Sequence, residues 1–531
     1  MIPNNQTPTY GNDVEAQMQQ EQQLPPQAAP LQYGTPPFRF GIPQKGYIGF
    51  PSWLRNWGIV TGLVIMVAVI WAFNERMMPS YLYFMYVAEV VIFFAGSYYF
   101  SRRWGNVSVK QFSMMVFWLG VLLRTPIMLY HHFDNLATLG EQYYLYLADI
   151  EVYVGTPVDF VDTILSNGEW NFKILTKYIA FDDLGAPIFN SILLLLTANI
   201  NPPLTVLISN VILGAITPLF MYHIAQRHFG ENVGRLTALF CMLNPNMIWW
   251  CAMMMKETEM VFFACWFMDR MDGVLYKGKI SLLEVLPIAL IGMFTFLYRA
   301  ALGVLLFVAF FITLILIGKK FVSTGKKIVA GLMVALVIGL GFGEQMIEQT
   351  FKMKSSVESG GQRVNMEWRT NRLHGNAFAK YASAAVFAPL IFTIPFPTLT
   401  YTYEGQIALM EVAGGNYIKN LLSILVILIL LYLLLTGTWR PHVFLESYLL
   451  GYLIILVVST YAQSGRFHMP VIPFEMMFAA YCINVVLNGT INKPVFLKSR
   501  TFKRWFGLWC FICIAFAIFW QWFKLEGQGI L

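Results

Sequence analysis

The chain has 531 residues, of which 57% are hydrophobic and only 12% charged, about half the charge of a soluble domain. Its longest apolar runs, such as 57–73, 421–435 and 505–522, approach or reach the ~17–20 residues that cross a bilayer, which excludes a soluble globular enzyme. The formal net charge of +7 does not point to nucleic acid, because the basic residues fall in short loops between apolar segments.

Residues 1–45 are rich in Gln, Pro and Asn and contain no apolar signal-peptide core, so they read as a disordered cytoplasmic tail. Spans are expected at 57–73, 80–99, 111–130, 203–225, 234–252, 257–273, 281–298, 300–317, 326–345, 418–436, 443–462, 468–488 and 505–523, about 13 in all. The fold class is therefore an all-α polytopic membrane protein. The segment 386–399, broken by Pro389, Pro395 and Pro397, reads as re-entrant or interfacial. This divides the chain into the tail, N-terminal transmembrane helices over 46–130, a core over 131–345, a second outer or re-entrant region over 346–417, and C-terminal helices over 418–531. Cys241, Cys251, Cys265, Cys482, Cys510 and Cys513 all lie in apolar segments and read as small apolar fillers.

Charge orients the spans. With the tail inside, the inward loops carry Arg102, Arg103, Lys110, Arg227, Arg235, Arg270, Lys277, Lys279, Lys319, Lys320, Lys326, Lys327, Arg440, Lys493, Lys498, Arg500, Lys503 and Arg504, the basic bias expected of a cytoplasmic face. The outward segments are 75–80, the long loop 131–202, the turn 253–257 and 346–417. Parity holds only if 185–199 is a short helix at the outer face rather than a span. The outer side then collects Glu141, Asp149, Asp182, Asp183, Lys256, Glu257, Arg299, Arg363, Arg369, Arg372, Glu404, Arg466 and His468. Polar groups converging on one face of a membrane protein mark a site.

Four constellations carry chemistry. In GEQYYLYLADIEVY, Glu141, Tyr144 and Ala148 fall on neighbouring helical turns, with Asp149 next. Downstream, Asp182 and Asp183 precede a helix start; one is open to an N-cap role, and the other to base or metal work. In NPNMIWWCAMMMKETEM, Lys256 and Glu257 sit between two apolar runs, either as a functional pair or as a plain turn with Trp249 and Trp250 in an interfacial aromatic belt. Arg299, alone between two spans, suits either a phosphate or snorkelling to headgroups. Arg466 and His468, before Pro470 and Pro473, present a cation where a span begins. No P-loop, GxGxxG, HExxH or GxSxG motif is present.

The order of these elements resembles the GT-C glycosyltransferases, polytopic enzymes that take sugars from polyprenyl-phosphate carriers, in particular their mannosyltransferase-like branch. The likeness runs through acid-x-x-Tyr-x-x-x-Ala in the first large outer loop, Asp183-Leu-Gly-Ala-Pro187, MYHIAQRHFGENVGRLTALFCMLNPNMIWW, Lys256-Glu257 and GRFHMPVIP. It covers roughly residues 130–320 and 460–490, and Glu141 stands where Asp is commoner. The resemblance implies a GT-C-like core with its active site extracytoplasmic, in the plasma (inner) membrane. Asp183 or Glu141 would be the general base, with Asp182 beside them, and the other would orient the acceptor or a divalent cation, Mg²⁺ or Mn²⁺. Arg299, Arg466, Lys256 and His468 would bind the lipid phosphate; Glu257 would hold Lys256, with Tyr144 and Asp149 in support. The partners would be a polyprenyl-phosphate-linked sugar donor and a glycan, lipid or protein acceptor.

Two rivals accompany this reading. An O-antigen-type polysaccharide polymerase or ligase would lean on late outer-loop cations such as Arg363, Arg369, Arg372 and His374. A lipid-glycan flippase or transporter would place polar groups at mid-membrane, and charges inside the expected spans are few.

Overall fold

The computed structural model describes residues 49–139, 147–177, 183–277, 282–317, 399–400, 413–458, 465–487 and 494–527. Among them there is no β-strand, only an isolated bridge between Met77 and Thr400. The expected Glu141, Tyr144, Asp182, Arg363, Arg369, Arg372, His374 and Glu404, the span 326–345 and most of the segment 386–399 lie outside the described residues.

The chain opens with α1 (Ser52–Ala72), α2 (Ser80–Arg103) and α3 (Val109–Leu139). Pro51 and Pro79 hold extended backbone where α1 and α2 begin, positions where a missing N–H costs nothing. A π-turn at Glu151–Gly155 leads into α4 (Thr156–Asn167), which packs on α5 (Gly185–Leu196). Then come α6 (Pro202–Phe229), α7 (Glu231–Leu243), α8 (Glu257–Lys277), α9 (Leu282–Tyr298) and α10 (Ala300–Ile317). The described part closes with α11 (Ala413–Thr436), α12 (Val443–Val458), α13 (Ile472–Leu487) and α14 (Ser499–Gly527). Helix α6 starts on Asn201, whose side chain accepts from Leu204 N, followed by Pro202 and Pro203, a strong start signal. It ends at Gly230, where φ is 90°, a conformation glycine adopts without strain.

Among the described residues, six helices are long and apolar enough to cross a membrane: Ser52–Ala72, Ser80–Arg103, Val109–Asp134, Pro202–Phe229, Gly414–Thr436 and Ser499–Trp522. Their outward faces carry large exposed apolar side chains, among them Trp71, Phe84, Trp118, Leu122 and Phe511. In water such a surface would drive association; against lipid it is the expected one. At 12 residues, α5 is roughly 18 Å long and too short to cross.

At the centre lies α7, every residue of which is buried, packed on α6, α13 and α2. The expected span 234–252 is not one helix. It breaks at Asn244, whose side chain accepts from Met247 N, and Pro245, which starts the short helix Pro245–Trp249. Hydropathy does not register that break, because proline removes the N–H that would continue the ladder. Trp249 and Trp250 are buried in the core, not placed in an interfacial belt, because this segment is covered by α3, α6 and α11. All six cysteines are free and buried, as their apolar surroundings predict.

Two further expectations change. Arg235 is fully buried, donating to Glu231 and to the carbonyls of Trp104, Gly105 and Val107. Arg227 pairs with Asp269 at 2.8 Å and Asp272 at 2.6 Å. Both arginines join elements at one end of the bundle rather than adding free surface charge. Charges inside the helices are also less sparse than the sequence suggested. Arg124 on α3 is fully buried, and Lys419 on α11 meets Glu475 on α13 at 3.1 Å with both buried.

Candidate functional site

At the end of the bundle away from Arg227 and Arg235, six polar side chains from five separate chain segments converge. Glu257 opens α8, whereas Asp269 and Asp272 lie on the same helix three to four turns further on, roughly 18–22 Å away along the axis. Asp149 comes from the turn before the π-turn, Asp183 from the residue pair before α5, and Lys256 with Glu257 from the start of α8. Arg299 is the residue between α9 and α10, and Arg466 lies on the short turn Gly465–His468 before α13.

Lys256 is nearly fully buried. Its ammonium forms an ion pair with Asp183, donates to the carbonyl of Tyr298 at 3.0 Å, and lies 5.6 Å from the centre of the Tyr153 ring. Asp183 is therefore not the N-cap of α5: Leu184 holds that position and no side chain caps the helix. The plain-turn reading of Lys256 and Glu257 also fails, since Glu257 is fully buried, and a buried charge requires partners.

Those partners come through Arg466. Its Nε donates to Glu257 and its Nη1 donates to Asp149 at 2.6 Å. One guanidinium thus serves two carboxylates, the paired geometry that arginine supplies and lysine does not. Burial opposes the charge on Arg466, but Glu257 and then Asp149 outweigh it, so its pKa is raised further. The Oε2 atom of Glu257 is buried with no hydrogen-bond partner among the described residues. Sequence reasoning placed Glu257 as the holder of Lys256; it holds Arg466 instead, and Asp183 holds Lys256.

Arg299 differs from both. It forms no ion pair with an acid among the described residues. Its Nη1 donates to the Tyr452 hydroxyl at 3.1 Å, and its guanidinium carbon lies 4.3 Å over the Phe467 ring. It is half-buried, so its cation faces the site uncompensated. His468 shares the turn with Arg466 but is fully buried, so it does not present a cation at an open mouth as expected. The reason is local: the Gly465–His468 turn runs directly into the buried start of α13.

A layer of tyrosines beneath the charges went unread in the sequence. Tyr153 lies within electrostatic reach of Glu257, Arg466, Asp149 and Arg299, and burial, then Glu257, push its hydroxyl well above the usual tyrosine range. It stays a neutral donor. Its carbonyl accepts from Asn190 at 3.0 Å, tying the π-turn to α5. The Tyr298 hydroxyl donates to the buried Glu259 at 2.8 Å, and Gly185 packs against the Tyr298 ring so closely that a Cβ there would lie 2.5 Å from it.

Among the described carboxylates of the cluster, Asp149, 42% exposed, and Asp183, 38% exposed, have open surface. These are the groups that can meet a second reactant, whereas Glu257 and Glu259 are sealed in. Among the described residues, no three or more His, Cys, Asp or Glu side chains come together as a metal site. The cluster therefore offers partly open carboxylates beside a low-dielectric floor and one uncompensated cation, a layout suited to deprotonating one group while holding an anion. Comparison of the chain with protein-family models, curated proteins and solved structures gave no significant match.

Proposed function

We propose that this chain is a membrane glycosyltransferase of GT-C type, moving a sugar from a polyprenyl-phosphate carrier to a glycan, lipid or protein acceptor at the extracytoplasmic face of the plasma membrane. In this reading the chain crosses the bilayer about 13 times, its N-terminus is cytoplasmic, and the cluster around Lys256 and Arg466 opens outward. The observation that carries the proposal is the juxtaposition of partly open Asp183 and Asp149 with Arg299, which pairs with no acid among the described residues.

Asp183 takes the proton from the acceptor hydroxyl as the sugar leaves the lipid phosphate, with Glu141 or Asp182 orienting the acceptor or a divalent cation. Lys256 holds Asp183 in place through their ion pair. Arg299 meets the phosphate oxygens, and Arg466 shifts from its acids toward the leaving phosphate as charge develops. The test is sugar transfer in membranes by Asp183→Asn and Glu141→Gln, singly and together, with folding checked. Loss of a general base lowers the rate about 10²–10⁴-fold; undiminished transfer by the double variant overturns the carboxylate assignment.

A second reading has an observation in its favour. Arg124, with Nε and Nη2 unpartnered among the described residues, and the Lys419–Glu475 pair are buried charges inside helices, the placement a lipid-glycan flippase or transporter would use. Donor cleavage separates the two, because a flippase moves its lipid intact.

A further inference from the structure

Arg299 follows directly on α9 and precedes α10, and two residues from other elements determine where its guanidinium lies. Phe467, on the Gly465–His468 turn, places its ring beneath the guanidinium carbon at 4.3 Å. Tyr452, on α12 and almost wholly buried, places its hydroxyl 3.1 Å from Arg299 Nη1 and also 3.1 Å from the Phe467 carbonyl. A phenol has a single proton to give. The carbonyl only accepts and the guanidinium only donates, so the Tyr452 proton goes to Phe467 and an oxygen lone pair faces Arg299. One hydroxyl thereby fixes both the cation and the backbone that carries its stacking partner.

We propose that Tyr452 is a positioning residue that holds Arg299 as the phosphate-reading cation of the site. This rests on the glycosyltransferase reading only in taking the anion at Arg299 to be a phosphate. Without the hydroxyl, Arg299 Nη1 loses its hydrogen bond to Tyr452, and the long, flexible side chain is free to leave the Phe467 ring. The phosphate then meets a cation that must first be ordered, and that entropy is charged against binding.

The structure contains an internal control. Tyr448, one turn earlier on α12 and also fully buried, donates from its hydroxyl to the carbonyl of Pro470 at 3.1 Å. It secures the same chain segment to the same helix without touching Arg299. Tyr448→Phe therefore reports the cost of loosening the segment, and Tyr452→Phe reports that cost together with the loss of the arginine contact.

The experiment uses the full-length protein in detergent or nanodiscs and polyprenyl phosphate without a sugar as the probe, with binding followed by native mass spectrometry at two salt concentrations. Inorganic phosphate is run in parallel to separate lipid-borne from free phosphate. Arg299→Ala is expected to abolish the salt-sensitive part of binding. Tyr452→Phe is expected to weaken binding about tenfold, the effect of losing one hydrogen bond to a charged group, and Tyr448→Phe to stay within about twofold of the wild type. Equal effects of Tyr452→Phe and Tyr448→Phe, with Arg299→Ala still defective, would overturn the role of Tyr452 while leaving the phosphate site standing. Undiminished binding by Arg299→Ala, or no binding by the wild type, would overturn the phosphate reading itself and this role with it.

Discussion

Arg466 and Glu257 form a buried ion pair between the turn that precedes α13 and the first residue of α8. The pair does more than join two elements. Arg466 also reaches Asp149, so one side chain gathers three segments of the site, and its removal would leave the buried Glu257 without its cation.

Glu257→Ala is expected to be among the most destabilising single changes in the site. It leaves Arg466 largely buried and without its Glu257 partner, and breaking a buried pair from one side costs about 3–5 kcal/mol. Glu257→Gln keeps an acceptor for Arg466 Nε and should cost clearly less. Unfolding of the detergent-purified variants checks both, and equal stability of Glu257→Ala and the wild type would show that the pair does not hold the site together.

Gly185→Ala probes the contact between α5 and the end of α9. An added Cβ would lie 2.5 Å from the Tyr298 ring, so the ring, whose hydroxyl donates to Glu259, must move, and with it the residue whose backbone carbonyl accepts from Lys256 is disturbed. A loss of about 1–3 kcal/mol is expected for overpacking of this kind. At Gly155 a Cβ would meet only Glu151 Cγ at 3.5 Å, an ordinary contact, so Gly155→Ala serves as the control and should remain near the wild type.

The opposite end of the bundle predicts a pH dependence. On the turn Arg440–His442, the His442 ring meets His228 through Nδ1 atoms 2.9 Å apart, and His228 Nε2 lies 2.7 Å from Asp272, which also pairs with Arg227. Tyr481 and Phe229 lie against the His442 ring. Burial first and His228 second push the His442 pKa well below its ordinary value, outweighing Asp272. The unfolded chain takes up this proton near pH ~6.5, the folded chain only at lower pH. Stability therefore falls as pH drops below ~6.5, by up to about 1.4 kcal/mol per pH unit from this residue. Unfolding measured from neutral to mildly acidic pH should show this slope in the wild type and a flatter one in His442→Gln; parallel curves would assign the slope to other groups.

Much of the fold was legible in the sequence. The apolar runs gave α10 at its observed bounds and placed the centres of α1, α2, α3, α6 and α14, because helix existence follows from uninterrupted hydrophobic length. The region 234–252 misled, since every residue there is buried by protein rather than lipid, and apolar composition cannot tell the two apart. The polar residues of the site were legible as groups on one side of the membrane. Their pairing was not: nothing in the order of residues says that Asp183 takes Lys256, that Arg466 takes Glu257 and Asp149, or that Arg299 meets the Tyr452 hydroxyl and the Phe467 ring. Tyr153, Tyr298 and Tyr452 were invisible for another reason. In a chain with 26 tyrosines, only tertiary contacts distinguish a tyrosine that orders a cation from one that fills space.

The central claim, that this cluster cleaves a sugar from a lipid phosphate, is tested most directly by purified protein in liposomes with a polyprenyl-phosphate donor labelled in its sugar. The prediction is that the wild type releases or transfers the labelled sugar while Asp183→Asn and Arg299→Ala leave the donor intact. A wild type that leaves the donor uncleaved, or that carries it whole from one leaflet to the other, would contradict it.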